Sequence, residues 1–222
     1  MNVVEIINEA IASGRTRFAF ELLPPLKGDG MQKIFAAVEP LMALDPAYVN
    51  ITFHREGIKE TEREDGSVEW HVVRRRPGTV GISAAIQNRY GVEVVPHLIC
   101  GGLSKYDIED TLIDMDFLGL HNVLALRGDR RPGREAKDFS HASDLITYLR
   151  DQSPDLCIGA ACYPEGHVES PDVEESYRSL YLKQEAGADY LVTQLFFDNE
   201  DFYRFREQCL RHRVKLPIVA GI

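Results

Sequence analysis

Seven short β-rich apolar runs recur along the chain, at 17–23, 47–53, 92–98, 122–128, 156–163, 189–196 and 216–222. Segments with helical punctuation separate most of them, at a repeat of about thirty residues, the length of a strand–helix unit. Near-continuous apolar strands with helices between them demand a parallel sheet covered on both faces. That pattern fixes the class as α/β. It leaves two architectures, a closed barrel and an open doubly wound sheet. No GxGxxG or GxxxxGK follows any strand, so the nucleotide-binding open sheet is the weaker choice. The expected fold is a (β/α)8 TIM barrel over 1–222, stopping after its seventh strand. An eighth strand and the last helices would then lie outside this stretch, and free sheet edges would need cover.

The intervening helices carry readable signals. Ser104 with Asp107 makes a capping arrangement ahead of Ile108, Leu112 and Met115, with a stop at Gly119. Ser170-Pro171 opens a helix that presents Val173, Tyr177, Leu180 and Tyr181 on one face and ends at Gly187. Asp198 or Asn199 caps another, with Phe202, Phe205 and Cys209 along one side. Val3, Ile7 and Ile11 give the N-terminal segment an amphipathic helical pattern. Residues 54–80 form the one long irregular insertion, a charged flap after the second strand with a small hairpin expected at SVEWHVVRR.

Charge and cysteines narrow the function. A net charge of −10 argues against nucleic acid and anionic membrane as partners, because both demand a basic surface. No signal peptide or apolar span is visible. Cys100, Cys157, Cys162 and Cys209 form no CxxC pair and read as small buried apolar residues of a reduced, cytoplasmic protein. An anionic ligand would depend on a few local Arg and Lys residues. Lys183, on the helix before the sixth strand, would ordinarily be a solvent lysine.

Barrel enzymes place their chemistry at the C-terminal strand ends. Six strands here end in polar or ionisable groups: Glu21, Thr52 with His54, His97, Arg127 with Asp129, Tyr163 with His167, and Gln194. Glu21, in FELLPP, has an apolar surround that raises a carboxyl pKa and suits a general acid. A carboxylate paired with Arg or capping a helix is the equal alternative. Arg127 offers planar recognition of phosphate or carboxylate, and Gly128 allows close backbone approach. A structural Arg127–Asp129 pair is the alternative there. His97 and His167, with Cys100 and Cys162 nearby, lack the spacing of a zinc site, so no metal is expected.

In order, FELLPP, NITF, PHLICGG, NVLALRGD, AACYPEGH and LKQEAGADYLVTQLFFDNEDFYRF resemble the methylenetetrahydrofolate reductase family, from about residue 14 onward. The resemblance implies a barrel binding FAD without a Rossmann motif. It also implies hydride transfer from NADH or NADPH through the flavin to 5,10-methylenetetrahydrofolate, feeding methionine synthesis. Glu21 matches the family's general acid, Asp129 the carboxylate that adjusts the flavin, and Gln194 the residue touching the pterin. Thr52, His97, Arg127, Gly128, Asp129, Ala161, Tyr163, His167 and Lys183 match flavin positions. Two departures fall at the adenosine end: His141 where the family commonly has Tyr, and Ser176 where relatives often carry Asp. A homo-oligomer is the expected assembly. The rival readings are another flavin barrel such as a proline dehydrogenase, a zinc-dependent barrel hydrolase, and a non-catalytic folate or flavin binder.

Overall fold

The computed structural model describes residues 1–54, 57–63, 65–73, 75–128 and 138–222. The chain divides into two compact units, Arg17–Pro96 on one hand and Met1–Thr16 with His97–Ile222 on the other.

In the first unit, β1 (Phe20–Leu22), β2 (Val49–Ile51) and the first half of β5 (Val94–Ile99) pair in parallel, with Glu21 opposite Asn50 and Asn50 opposite Val95. Two helices cover one face, α2 (Met31–Met42) and α3 (Thr79–Tyr90). Ile34, Phe35 and Val38 of α2 meet Val49, Ile51 and Val94 of the strands and Ile82 and Ile86 of α3 in one buried cluster. Each such side chain contributes roughly 1.5–3 kcal/mol by leaving water. Because strand side chains alternate faces, Glu21 and Asn50 look away from this cluster. The insertion folds as an antiparallel hairpin of β3 (Gly57–Glu62) and β4 (Val68–Val73). The expected hairpin segment SVEWHVVRR therefore supplies only one arm; GIKETE is the other.

In the second unit, the rest of β5 begins a parallel series through β6 (Asn122–Leu126), β7 (Cys157–Cys162), β8 (Tyr190–Thr193) and β9 (Ile218–Val219). Helices α4 (Lys105–Phe117), α5 (Ala142–Gln152), α6 (Val173–Glu185) and α7 (Asn199–Arg211) connect them. The seven strands expected from sequence are all present, each shorter than its apolar run. The α/β class and parallel order stand.

Local chemistry explains the boundaries. Ser104 and Asp107 close a reciprocal capping box on α4, which buries Ile108, Leu112 and Met115. Asp198 caps α7, whose Phe205 and Cys209 are buried. Two expectations need correction. The first helix, α1 (Val3–Ser13), buries Val3 and Ile6 while Ile11 is exposed, because its Val3 N–H donates to the Asn122 side chain at 2.8 Å and sets the inward face. On α6 the N-cap is Asp172, and the buried face carries Tyr177, Leu180 and Lys183, leaving Val173 exposed. No helix of the described residues is long and apolar enough to cross a membrane.

One clasp locks the lower ends of β7 and β8. Arg150 donates to the carbonyls of Pro154, Leu156 and Gly187 and to the Asp189 carboxylate, which also accepts the Ile158 N–H at 2.7 Å. A guanidinium fork suits this arrangement, since several donors leave one planar group.

Candidate active site

Thr52, Arg127, Gly128, Tyr163 and Gln194 follow the C-terminal ends of parallel strands within their own units, Glu21 and His97 lie within β1 and β5, and Lys183 lies on α6. In the first unit, Glu21 lies on β1, and Thr52 follows β2, its backbone N–H and hydroxyl both reaching the Leu22 carbonyl at 3.0 and 3.2 Å. Partial desolvation raises the Glu21 pKa even though the residue keeps an exposed edge. A carboxyl in that condition holds its proton to higher pH than a free one. His54, next along the chain, is exposed; burial and then the Arg76 charge lower its pKa. Arg76 in turn donates to the Pro24 carbonyl, tying the exit of the hairpin to the FELLPP loop.

The second unit gathers more of the expected residues. His97 is buried on β5, and desolvation pulls its pKa down to about 4, so the imidazole is neutral at physiological pH. Arg127 and Gly128 follow β6. Gly128 has φ +78°, a conformation that costs a side chain energy and that glycine adopts freely. The loops after β5 and β6 are joined where the N–H groups of Cys100 and Gly101 donate to the carbonyls of Leu126 and Arg127, both at 3.0 Å. After β7, the Tyr163 and His167 rings meet edge to face, with centroids 4.6 Å apart. Gln194 extends β8, donating its backbone N–H to the Cys162 carbonyl at 2.7 Å, and its side chain is exposed. Asp129, expected as the third catalytic group, lies outside the described residues.

Lys183 reverses the plain sequence reading of a solvent lysine. It is 9% exposed, and its Nζ donates to the carbonyl oxygen of Ala161 at 2.8 Å. Desolvation lowers its pKa to about 8, the Cys162 thiol works in the opposite direction, and the positive charge of Arg127 lowers it further. Arg127 and Lys183 thus act on each other as like charges. Sequence reasoning missed the anion between the loops: Glu169, exposed and two residues past His167, forms an ion pair with the Arg127 guanidinium. Its only signal was an acid in EGHVES following the strand beside LALRGD. The Arg127 Nε donates to the Gly128 carbonyl at 3.1 Å.

Of the two departures, His141 stands at the start of α5, where its backbone N–H donates to the Asp144 carboxylate at 2.9 Å. Ser176 turns back to the Asp172 carbonyl within α6. All four cysteines are buried and none is in a disulfide; burial raises the thiol pKa of Cys157 to about 11 and of Cys209 to about 12. Among the described residues no three His, Cys, Asp or Glu side chains gather as a metal-binding group.

A buried lysine on α6 bonded to β7, an arginine just after β6 and the close approach that Gly128 permits suit a ligand with linked phosphates. The donor set thus fits a dinucleotide cofactor.

The family model described as methylenetetrahydrofolate reductase matches residues 6–222. A rice protein named probable methylenetetrahydrofolate reductase (NADH) is 35% identical over 100% of this chain, which spans 37% of the rice protein. The Escherichia coli K12 5,10-methylenetetrahydrofolate reductase is 31% identical over 98% of this chain and 68% of its own length. Among solved structures, an uncharacterized Clostridium thermocellum protein described as binding two copies of 5-methyl-5,6,7,8-tetrahydrofolic acid aligns with a TM-score of 0.58. That alignment has 14% identity and covers 97% of this chain and 68% of the other. Phosphonopyruvate hydrolase aligns with a TM-score of 0.62 at 11% identity, covering 99% and 72%. At such identities these two structures speak to the fold alone.

Proposed function

The chain belongs to the methylenetetrahydrofolate reductase family, and from that premise we propose that it reduces 5,10-methylenetetrahydrofolate to 5-methyltetrahydrofolate with a hydride drawn from NADH or NADPH. The product would feed methionine synthesis. The parallel strand–helix repeats fit the (β/α)8 barrel expected for such a protein. FAD, when bound, would supply the two-electron relay between the nicotinamide and the folate.

The observation that carries this reading is the cationic pair of Arg127 and buried Lys183. These residues would hold the diphosphate, and the backbone at Gly128 would lie against it. His97, kept neutral by burial, would offer a hydrogen bond without adding charge. Lys183 is mostly charged at neutral pH, as phosphate binding requires, because its pKa of about 8 still lies above 7.

Opening the five-membered ring of the substrate needs a proton on nitrogen. Glu21 is assigned that donation, and its raised pKa keeps the acid form available closer to neutrality. Asp129 would stabilise positive charge developing on the folate, and Gln194 would hydrogen-bond the pterin through its amide. A proline dehydrogenase-like reading shares the cofactor site but gives no reason for a folate to accept the hydride. Purified protein loaded with FAD should show visible absorption that NADH or NADPH bleaches and 5,10-methylenetetrahydrofolate restores. Restoration by the folate separates the two readings.

A further inference from the structure

Glu169 has no role in the reaction as described, yet its carboxylate occupies the guanidinium of Arg127. The segment that presents it is closed on itself. The Gly166 N–H donates to the Tyr163 carbonyl at 3.0 Å and the Ser170 N–H to the His167 carbonyl at 2.9 Å. Glu169's own N–H donates to Nδ1 of His167 at 3.1 Å, and the His167 ring packs against Tyr163. The acid is thus delivered to Arg127 by a short, locally organised loop. Arg127 also acts electrostatically on Lys183, so the carboxylate is held by one of two cations that influence each other.

We propose that Glu169 is an internal anion that competes with the phosphates of an incoming ligand for Arg127. The proposal rests on the reading of Arg127 and Lys183 as the phosphate site. Arg127 follows β6 and Lys183 sits on α6, and without an anion their like charges oppose each other. With Glu169 in place the Arg127 charge is paired, and the buried Lys183 ammonium adds its own pull on an incoming anion. A linked diphosphate can engage both cations at once, which a single carboxylate cannot do, so it displaces Glu169. The displaced carboxylate already has an exposed edge and returns to water at little cost. Glu169 therefore lowers affinity for every anion that must take Arg127 to bind.

The test is a titration of the whole protein with FAD, followed by its fluorescence, and with inorganic pyrophosphate, followed by calorimetry. Glu169→Gln keeps size and removes charge; Glu169→Ala removes the contact altogether, and thermal melting shows that each variant is folded. Both variants are expected to bind both probes about three- to tenfold tighter than the parent at low salt. The gap should close as salt screens the competing carboxylate. In an Arg127→Gln background, Glu169→Gln should have no effect. Equal or weaker binding by the variants, or a gain that persists without Arg127, overturns the proposal. A gain for pyrophosphate with no FAD binding in any variant would sustain it and remove the flavin reading. FAD binding with no gain would do the reverse, and failure to bind either probe would count against both.

Discussion

The ammonium of Lys183 donates to the carbonyl oxygen of Ala161 at 2.8 Å, tying a nearly buried cation on α6 to the penultimate residue of β7. Burial makes that cation expensive. Its pKa falls from 10.5 in the unfolded chain to about 8, a penalty on the charged folded form of about 3 kcal/mol.

The sign of the resulting pH dependence is fixed. Below pH 8 both folded and unfolded chains carry the proton, and the penalty is complete. Between about 8 and 10.5 the unfolded chain binds the proton and the folded chain does not, so stability rises with pH. Replacing Lys183 with Met should therefore stabilise most below pH 8, and its advantage should shrink toward pH 10.5. Chemical denaturation of both proteins across that range measures the difference. A pH-independent difference would show that Lys183 is not desolvated. In the parent, pyrophosphate affinity should also fall above pH 8 as the charge is lost.

His97 titrates in the opposite region. Its pKa of about 4 lies below the unfolded value of 6.5, so stability is complete above 6.5 and declines as pH falls from 6.5 toward 4. Carbon-13 labelled histidine should give a His97 resonance that does not move between pH 8 and 5.5. A midpoint near 6.5 would mean that the side chain is solvated.

Gly159 and Tyr190 make a packing prediction. A methyl group at Gly159 would approach the Tyr190 ring to 2.5 Å, and Tyr190 is fully buried, so the ring has nowhere to go. Gly159→Ala should cost about 1–3 kcal/mol in urea denaturation. Adding Tyr190→Leu should make the alanine nearly neutral relative to Tyr190→Leu alone. Additive losses in that double-mutant cycle would contradict the clash.

Much of the fold was legible because it depends on patterns with a single physical reading. Apolar runs such as NVLALRG and LCIGAACY become β6 and β7 since only a sheet covered on both faces buries them whole. The Ser104–Asp107 box and the Asp198 cap were visible for the same reason: few residues satisfy bare helix N–H groups. Strand ends were overestimated because apolar loop residues such as Phe53 look like strand until pairing stops at Ile51.

The site was less legible. Polar residues at strand ends were found by position, yet burial of Lys183 was not, because helical periodicity placed Tyr181 where the structure puts the lysine on the inner face. The Arg127–Glu169 pair joins residues 42 apart in sequence, and no local rule connects them.

On the proposed function, Glu21 should give the proton as the chain passes a hydride to a folate carbon. The most direct measurement is an anaerobic single turnover. Protein loaded with FAD and reduced by NADH or NADPH is mixed with 5,10-methylenetetrahydrofolate, and 5-methyltetrahydrofolate is quantified. The parent should form product in proportion to the sites reduced. Glu21→Gln should be reduced normally but form product slower by about two to four orders of magnitude, the usual contribution of a positioned acid. Absence of 5-methyltetrahydrofolate from the parent would overturn the proposed reaction, and an undiminished rate in Glu21→Gln would overturn the role of Glu21.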